Sequence, residues 1–395
     1  MSSTGVAVLI VLAGAAGAES QDVHGHVAAE LRLFPSDPAH SRQPDTYNFS
    51  FATELAYERG IGDGLVFRGI AFGRVDEHDP ERSRVDLNQA VLQFTRDALA
   101  VDVGVHTVFW GVTESRHLVD IVNQIDELEW IGSDRRLGQL MARASYHIGR
   151  FGSVELLGAT AFRPRRYPGP RGRPGVPAEV RYGDTEYEAG LGRWHPDVAV
   201  RWSHAVGELS GAASVFVGTA REPELIPGGT GEPPVLQPQY ALIRQGGLEL
   251  QWTHGDWLWK GEAIVREGQG AAFAAVTFGF ERTIYGVLGS TSDLAVFLEY
   301  SHDGRENLTL NIHDSDLFGG LRLLMNDFAG TEVSGGALTD VDSGATFAVM
   351  EATRRFGQRW TIELLAQLFS ASDPPDPLYW FRRDDHLQTT ARFFF

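Results

Sequence analysis

From Val23 to Phe395 the sequence breaks into segments of about ten residues whose side chains alternate in polarity, and that repeated period of two limits the fold more than any other feature. In 47–58, Tyr47, Phe49, Phe51, Leu55 and Tyr57 fall on one face, and Asn48, Ser50, Glu54 and Glu58 fall on the other. Leu140, Ala142, Ala144 and Tyr146 oppose Arg143, Ser145 and His147 in the same way. So do Leu294, Val296, Leu298 and Tyr300 against Glu299 and Ser301, and Trp360, Ile362 and Leu364 against Thr361 and Glu363. No segment after residue 18 approaches the ~18 continuous apolar residues of a membrane helix. A chain with apolar stripes and no apolar helix meets a bilayer only by closing its strands into a barrel, because every backbone N–H and C=O needs a partner there.

The pattern predicts strands at 23–33, 47–58, 65–74, 84–95, 99–109, 138–148, 152–162, 197–205, 207–219, 240–252, 257–267, 271–282, 293–301, 315–326, 330–341, 345–356, 359–370 and 386–395. The expected fold is therefore all-β: a closed antiparallel transmembrane barrel of about 18 strands, with 16 also compatible with the boundaries. Short links at 59–64, 97–98, 149–151, 206, 254–256 and 357–358 alternate with long ones at 34–46, 110–137, 163–196, 220–239, 302–314 and 371–385. Barrels of this class place short turns on the periplasmic side and long loops outside. The link 283–292 is longer than a periplasmic turn should be.

Val6 to Ala18 is a short apolar run ending in Ala16-Gly17-Ala18, which reads as a signal peptide over 1–18, although Met1 to Gly5 carries no basic residue. Residues 19–395 then form one barrel domain. The sequence has no cysteine, so disulfides contribute nothing after export. Its net charge of −18 disfavours nucleic acid as a partner, since phosphates need a basic face. Lys260 is the sole lysine among many arginines.

The last strand, His386 to Phe395, ends Ala391-Arg392-Phe393-Phe394-Phe395 and resembles the C-terminal signature of bacterial outer-membrane porins. That resemblance implies an assembly signal at Phe393 and Phe395, read by the barrel assembly machinery. The stretch from Val108-Phe109-Trp110-Gly111-Val112-Thr113-Glu114-Ser115 through Asn123-Gln124 is similar to segments of uncharacterised porin-like proteins of proteobacteria.

The segment 110–137 breaks the alternation and carries Leu118, Ile121, Val122, Ile125, Leu128 and Trp130, too apolar for a solvated loop. It is expected to fold inward, with a helical piece around Glu114 to Val122, and to narrow the pore. Glu114, Asp120, Asp126, Glu127 and Glu129 would supply an acidic side, and Arg143, Arg322 and Arg392 on the predicted lumen face the opposing charge. The same charges also suit a merely wet interior. Arg163, Arg165, Arg166, Arg171 and Arg173 crowd one loop, where they would bind phosphates of lipopolysaccharide or simply be solvated. His24 and His26 have metal spacing but lack a third ligand, and Ser115 with His117 is not a catalytic pair on geometry.

These readings converge on a passive channel for small polar or charged solutes, with no cofactor, no metal and no catalysis. Its partners would be outer-membrane lipids, lipopolysaccharide and the solutes themselves, with a homo-oligomer compatible. Two other functions stay open: a substrate-specific transport or export barrel, and a secreted soluble β-protein acting on polysaccharide.

Overall fold

The computed structural model describes residues 23–129, 135–176, 178–229, 234–305, 315–374 and 376–395, so the segment read as a signal peptide lies outside the described residues. The first half of the wall is β1 (Val23–Leu33), β2 (Tyr47–Gly62), β3 (Leu65–Asp76), β4 (Arg84–Arg96), β5 (Leu99–His106), β6 (Gln139–His147) and β7 (Ser153–Thr160). Two short strands, β8 (Glu179–Val180) and β9 (Glu186–Tyr187), follow outside the wall, which resumes with β10 (Asp197–Val206) and β11 (Leu209–Thr219). After a second outlying pair, β12 (Glu224–Gly229) and β13 (Val235–Tyr240), come β14 (Leu242–His254), β15 (Trp257–Gly268), β16 (Gly270–Ile284) and β17 (Asp293–Asp303). The wall ends with β18 (Ser315–Leu324), β19 (Glu332–Asp340), β20 (Thr346–Phe356), β21 (Trp360–Ser370) and β22 (His386–Phe394).

Eighteen of these strands form one antiparallel sheet closed on itself, as the alternation predicted. The seam joins β1 to β22 from His26 opposite Phe394 to Leu33 opposite Leu387. The amide of Phe395 donates to the Gly25 carbonyl at 3.0 Å, and the return bond is 3.1 Å. Among the described residues the barrel wall therefore has no open strand edge.

Register and burial agree on which face is which. Ala28, Glu30 and Arg32 of β1 are buried while Leu31 and Leu33 are exposed, and β2 opposes buried Asn48 and Ser50 to exposed Tyr47 and Phe51. The polar stripe therefore lines the lumen and the apolar stripe faces outward, the reverse of a soluble protein. Near the short turns, Tyr57 and Phe67, Trp259 and Phe280, and Trp360 and Phe393 pack as outward cross-strand pairs with ring centroids 5.1–6.1 Å apart. They form the girdle that suits a bilayer interface.

The link that sequence left without an explanation shortens because β16 runs on to Ile284. Gly286 takes a left-handed conformation there, and Asn326 of the next turn donates to Asp293 and to the Thr291 carbonyl, each at 2.8 Å. The turn is held by its neighbour rather than by its own brevity.

Gly104 shows how tightly the wall is drawn. Its φ is +136°, and a Cβ there would lie 2.2 Å from the Ala90 carbonyl oxygen. Gly104→Ala should cost about 1–3 kcal/mol in urea unfolding of the refolded barrel, whereas Gly319→Ala, with open space around it, should cost far less. Equal losses would show that the Gly104 backbone is not under this constraint.

Candidate functional site: a segment seated across the lumen

The link between β5 and β6 enters the barrel and is anchored on opposite walls. On one side, Oε1 of Glu262 in β15 accepts from the amides of Val112 and Thr113 and from the Thr113 hydroxyl at 2.6–3.0 Å, and its Oε2 accepts from the Val119 amide at 3.1 Å. Glu299 in β17 takes the amides of Glu114 and Ser115 at 2.8 Å and the Ser115 hydroxyl at 2.6 Å. Arg116 pairs with Asp303 beyond it.

These bonds explain why no helix forms at 114–122, contrary to the expectation from sequence. An α-helix sends its amides to the carbonyl four residues back. Here wall carboxylates take them instead, and charge-assisted bonds are the stronger ones.

The other end is held by arginines. Arg74 of β3 reaches Glu129 at 2.7 Å and Glu30 at 2.9 Å, and Arg84 of β4 reaches Asp126 at 2.9 Å and Glu129 at 3.0 Å. Arg82, wholly buried, joins Glu30 at 2.8 Å, Asp76, and the Leu128 carbonyl at 3.0 Å, while Arg32 donates to the Glu129 carbonyl. Four guanidinium groups (32, 74, 82, 84) thus meet four carboxylates (30, 76, 126, 129), a locally neutral set. Buried charges are tolerated when each has opposite partners in this way. Within the sheet order β4 and β17 stand half-way round from each other, so the segment spans the lumen.

Its middle is apolar. Leu118, Val119, Ile121 and Val122 are buried against Met141, Leu157, Phe216, Ile243 and Ile264 of the wall. Leu128 is buried as well, Ile125 is half-buried, and Trp130 lies outside the described residues. Asn123 ties the two ends of the link together by accepting from the Val108 amide at 2.8 Å and donating to the carbonyls of His106 and Leu137. The stretch 108–124 thus carries one of the two seats of the segment.

The residues chosen from sequence are placed as follows. Glu114 meets Lys260 and, at 3.2 Å, Arg322, and those cations hold it below the ordinary range against the effect of burial. Asp120 pairs with Arg136 of its own segment, and burial pushes it up to about 6. Burial likewise raises Glu127 despite Arg165 at 3.4 Å. Burial opposes ionisation of Glu129 too, but Arg74, Arg82 and Arg84 prevail and lower it. Arg143 pairs with Glu155 at 2.7 Å and Asp102 at 3.4 Å, and Arg392 pairs with Glu363. Among the wall arginines chosen from sequence, Arg322 is the one that meets the segment. Phe393 packs on Trp360 in the outward girdle, and Phe395 closes the seam.

The arginine-rich loop is largely used inside the protein. Arg173 is buried, with Asp384 at 3.0 Å and the carbonyls of Ser36, Pro44 and Asp45 at 2.8–3.0 Å, and so ties three long loops over the mouth. Arg163 meets Asp86 at 2.8 Å and Arg165 meets Gln124 at 3.0 Å, while Arg166 and Arg171 remain exposed.

Sequence reasoning missed Glu262, Glu299, Arg74, Arg82 and Arg84. Glu262, Glu299, Arg74 and Arg84 occupy lumen positions of the alternation, yet nothing in a period of two separates a charge that faces water from one that receives a buried segment.

This is the architecture of an outer-membrane-type β-barrel with an internal segment. No family profile matches the sequence, and no curated protein matches it either. Among solved structures it is similar to Wzi of Escherichia coli, described as an outer membrane protein involved in group 1 capsule assembly and a carbohydrate-binding β-barrel. The identity is 11%, the match covers 100% of this chain and 89% of that one, and the TM-score is 0.56. A mutant of the Rh. blastica porin aligns at 11% identity over 94% of this chain and 99% of its own, with a TM-score of 0.44. At such identity the likeness to Wzi speaks to the fold alone.

Replacing both Glu262 and Glu299 by Ala should unseat the segment without opening the wall. Each orphaned buried donor costs about 1–3 kcal/mol, so limited trypsin digestion should cut after Arg116 more than about tenfold faster than in the parent protein. An unchanged cleavage rate would show that these carboxylates do not hold the segment.

Proposed function

We propose that the protein is a narrowed porin-type channel of the outer membrane, with the long loops outside, which passes small polar solutes along a crescent of lumen that the internal segment leaves free. The observation that carries this reading is the asymmetry of the lumen. Along β1, β3 and β14 to β16 the inward side chains are largely buried under the segment and the loops. Along β19 every residue is half-buried, and Arg322, Glu332, Glu351 and Glu363 on β18 to β21 line water-accessible space.

Charge along the crescent sets the preference. Glu114, Glu281, Glu332, Glu351 and Glu363 face Lys260, Arg322 and Arg392, five negative against three positive, a formal −2. Arg322 lies 3.2 Å from Glu114 and 3.5 Å from Glu332. The Glu351 side chain carries no hydrogen bond among the described residues and shares its surroundings with Glu363 and Arg392. A low-dielectric wall with surplus negative charge favours cations. The outward apolar face argues against a soluble protein, since large contiguous apolar surface is rarely left in water.

Single-channel recording of the refolded chain in a planar bilayer tests this directly. Small, steady, cation-preferring steps are expected, with the preference weakened in Glu351→Gln. Replacing 111–129 by a short Gly/Ser linker should raise conductance severalfold. A parent protein that inserts without conducting, together with a shortened variant that conducts, would mean a sealed barrel and sink the channel reading.

A further inference from the structure

The rim at the loop end is uneven. β15 and β16 are joined there through Gln269 alone, between Gly268 and Gly270, while the links on either side of this hairpin are long. A cleft of about 570 Å³ opens beside this hairpin. Small residues, Gly268, Gly270, Ala271, Ala272 and Gly304, form its wall side. Its outer side is a four-stranded sheet that stands apart from the barrel, made of β12, β13, β8 and β9.

That outer sheet arranges its side chains in rows. β9 runs parallel to β13, with Glu186 opposite Gln239 and Tyr187 opposite Tyr240. The Gln239 amide donates to Glu186 at 2.6 Å, which leaves its own carbonyl oxygen available. The two tyrosine rings stack at 5.7 Å and 19°, with Tyr240 buried and Tyr187 half-exposed to the cleft. Glu188 and Glu224 complete this side, both exposed. On the wall side, the register jumps from Arg266 opposite Phe273 to Gly268 opposite Gly270, so Ala271 and Ala272 have no registered partner among the described strands. Both are exposed and line the cleft.

We infer that this cleft binds a short saccharide, neutral or amino-bearing, on the outer face. The lining has the two things such a ligand needs. One is an aromatic ring for the C–H face of a pyranose, and the other is a close mixture of donors and acceptors for hydroxyl groups that do both. Acceptors come from Glu186, Glu188, Glu224 and Gln239, and donors from the Tyr187 hydroxyl and the second N–H of the Gln239 side-chain amide. A simple organic cation would leave those donors unused. The surplus of carboxylates repels acidic sugars, and Arg305 does not offset it, being taken up by Asp303 at 2.6 Å and by Glu222. The inference is independent of the channel reading, because the cleft opens at the rim and not in the crescent.

Calorimetric titration of the detergent-solubilised protein with chitotriose, chitosan trimer, polygalacturonate oligomers and spermidine tests it. Binding of chitotriose or chitosan trimer is expected, with no binding of the acidic oligomers. Tyr187→Ala should weaken affinity about tenfold or more, Tyr187→Phe should restore most of it, and Glu224→Gln should weaken the amino sugar more than the neutral one. Bilayer conductance of all three variants should match the parent, which separates this site from the pore. Spermidine binding without sugar binding, no sugar binding at millimolar concentration, or sugar binding indifferent to Tyr187→Ala would each overturn the proposal.

Discussion

The interior depends on carboxylates of the wall accepting backbone amides of the segment between β5 and β6. A barrel of eighteen strands is too wide for its own side chains to fill. Glu262 and Glu299 solve this by giving the segment's amides acceptors stronger than a helix would offer. The apolar middle of the segment then lies against Met141, Leu157, Phe216 and Ile264, and the arginines of β3 and β4 hold its far end. Without the carboxylates, the same apolar residues would have no fixed partner surface.

Much of the wall could be read from the chain because lipid imposes a rule that side chains must obey one by one. The alternation in 47–58 or 360–368 records which residue meets lipid and which meets the lumen, and all eighteen predicted strands are present. Boundaries shifted where backbone geometry decides: β16 runs to Ile284, and β5 stops at His106 as the chain turns inward.

The interior was less legible, for a physical reason. The apolar run Leu118 to Leu128 announced a segment that leaves water, but its conformation follows from partners more than a hundred residues away, such as Glu262. Local sequence favoured a helix, and distant carboxylates prevented it. The five arginines of 163–173 suited a phosphate site or a solvated run, and it took the carbonyls of Ser36, Pro44 and Asp45 to bury Arg173. Tyr187 sits in a short outlying strand with no alternation to mark it, and Tyr240, read as the start of a wall strand, instead ends the outlying β13.

The placement of the anchors also bears on the order of assembly. The inward segment follows β5, yet its seats on Glu262, Glu299 and Arg322 belong to strands that come more than a hundred residues later. The seam itself waits for the last strand to find the first. Contacts of such long sequence separation form late, since the intervening chain must first be drawn together. The far end of the segment, held by Arg74 and Arg84 of β3 and β4, therefore has its partners at hand well before the near end, which waits for β15 and β17. By the same measure the seam, with the longest separation of all, closes after both ends of the segment have found their seats.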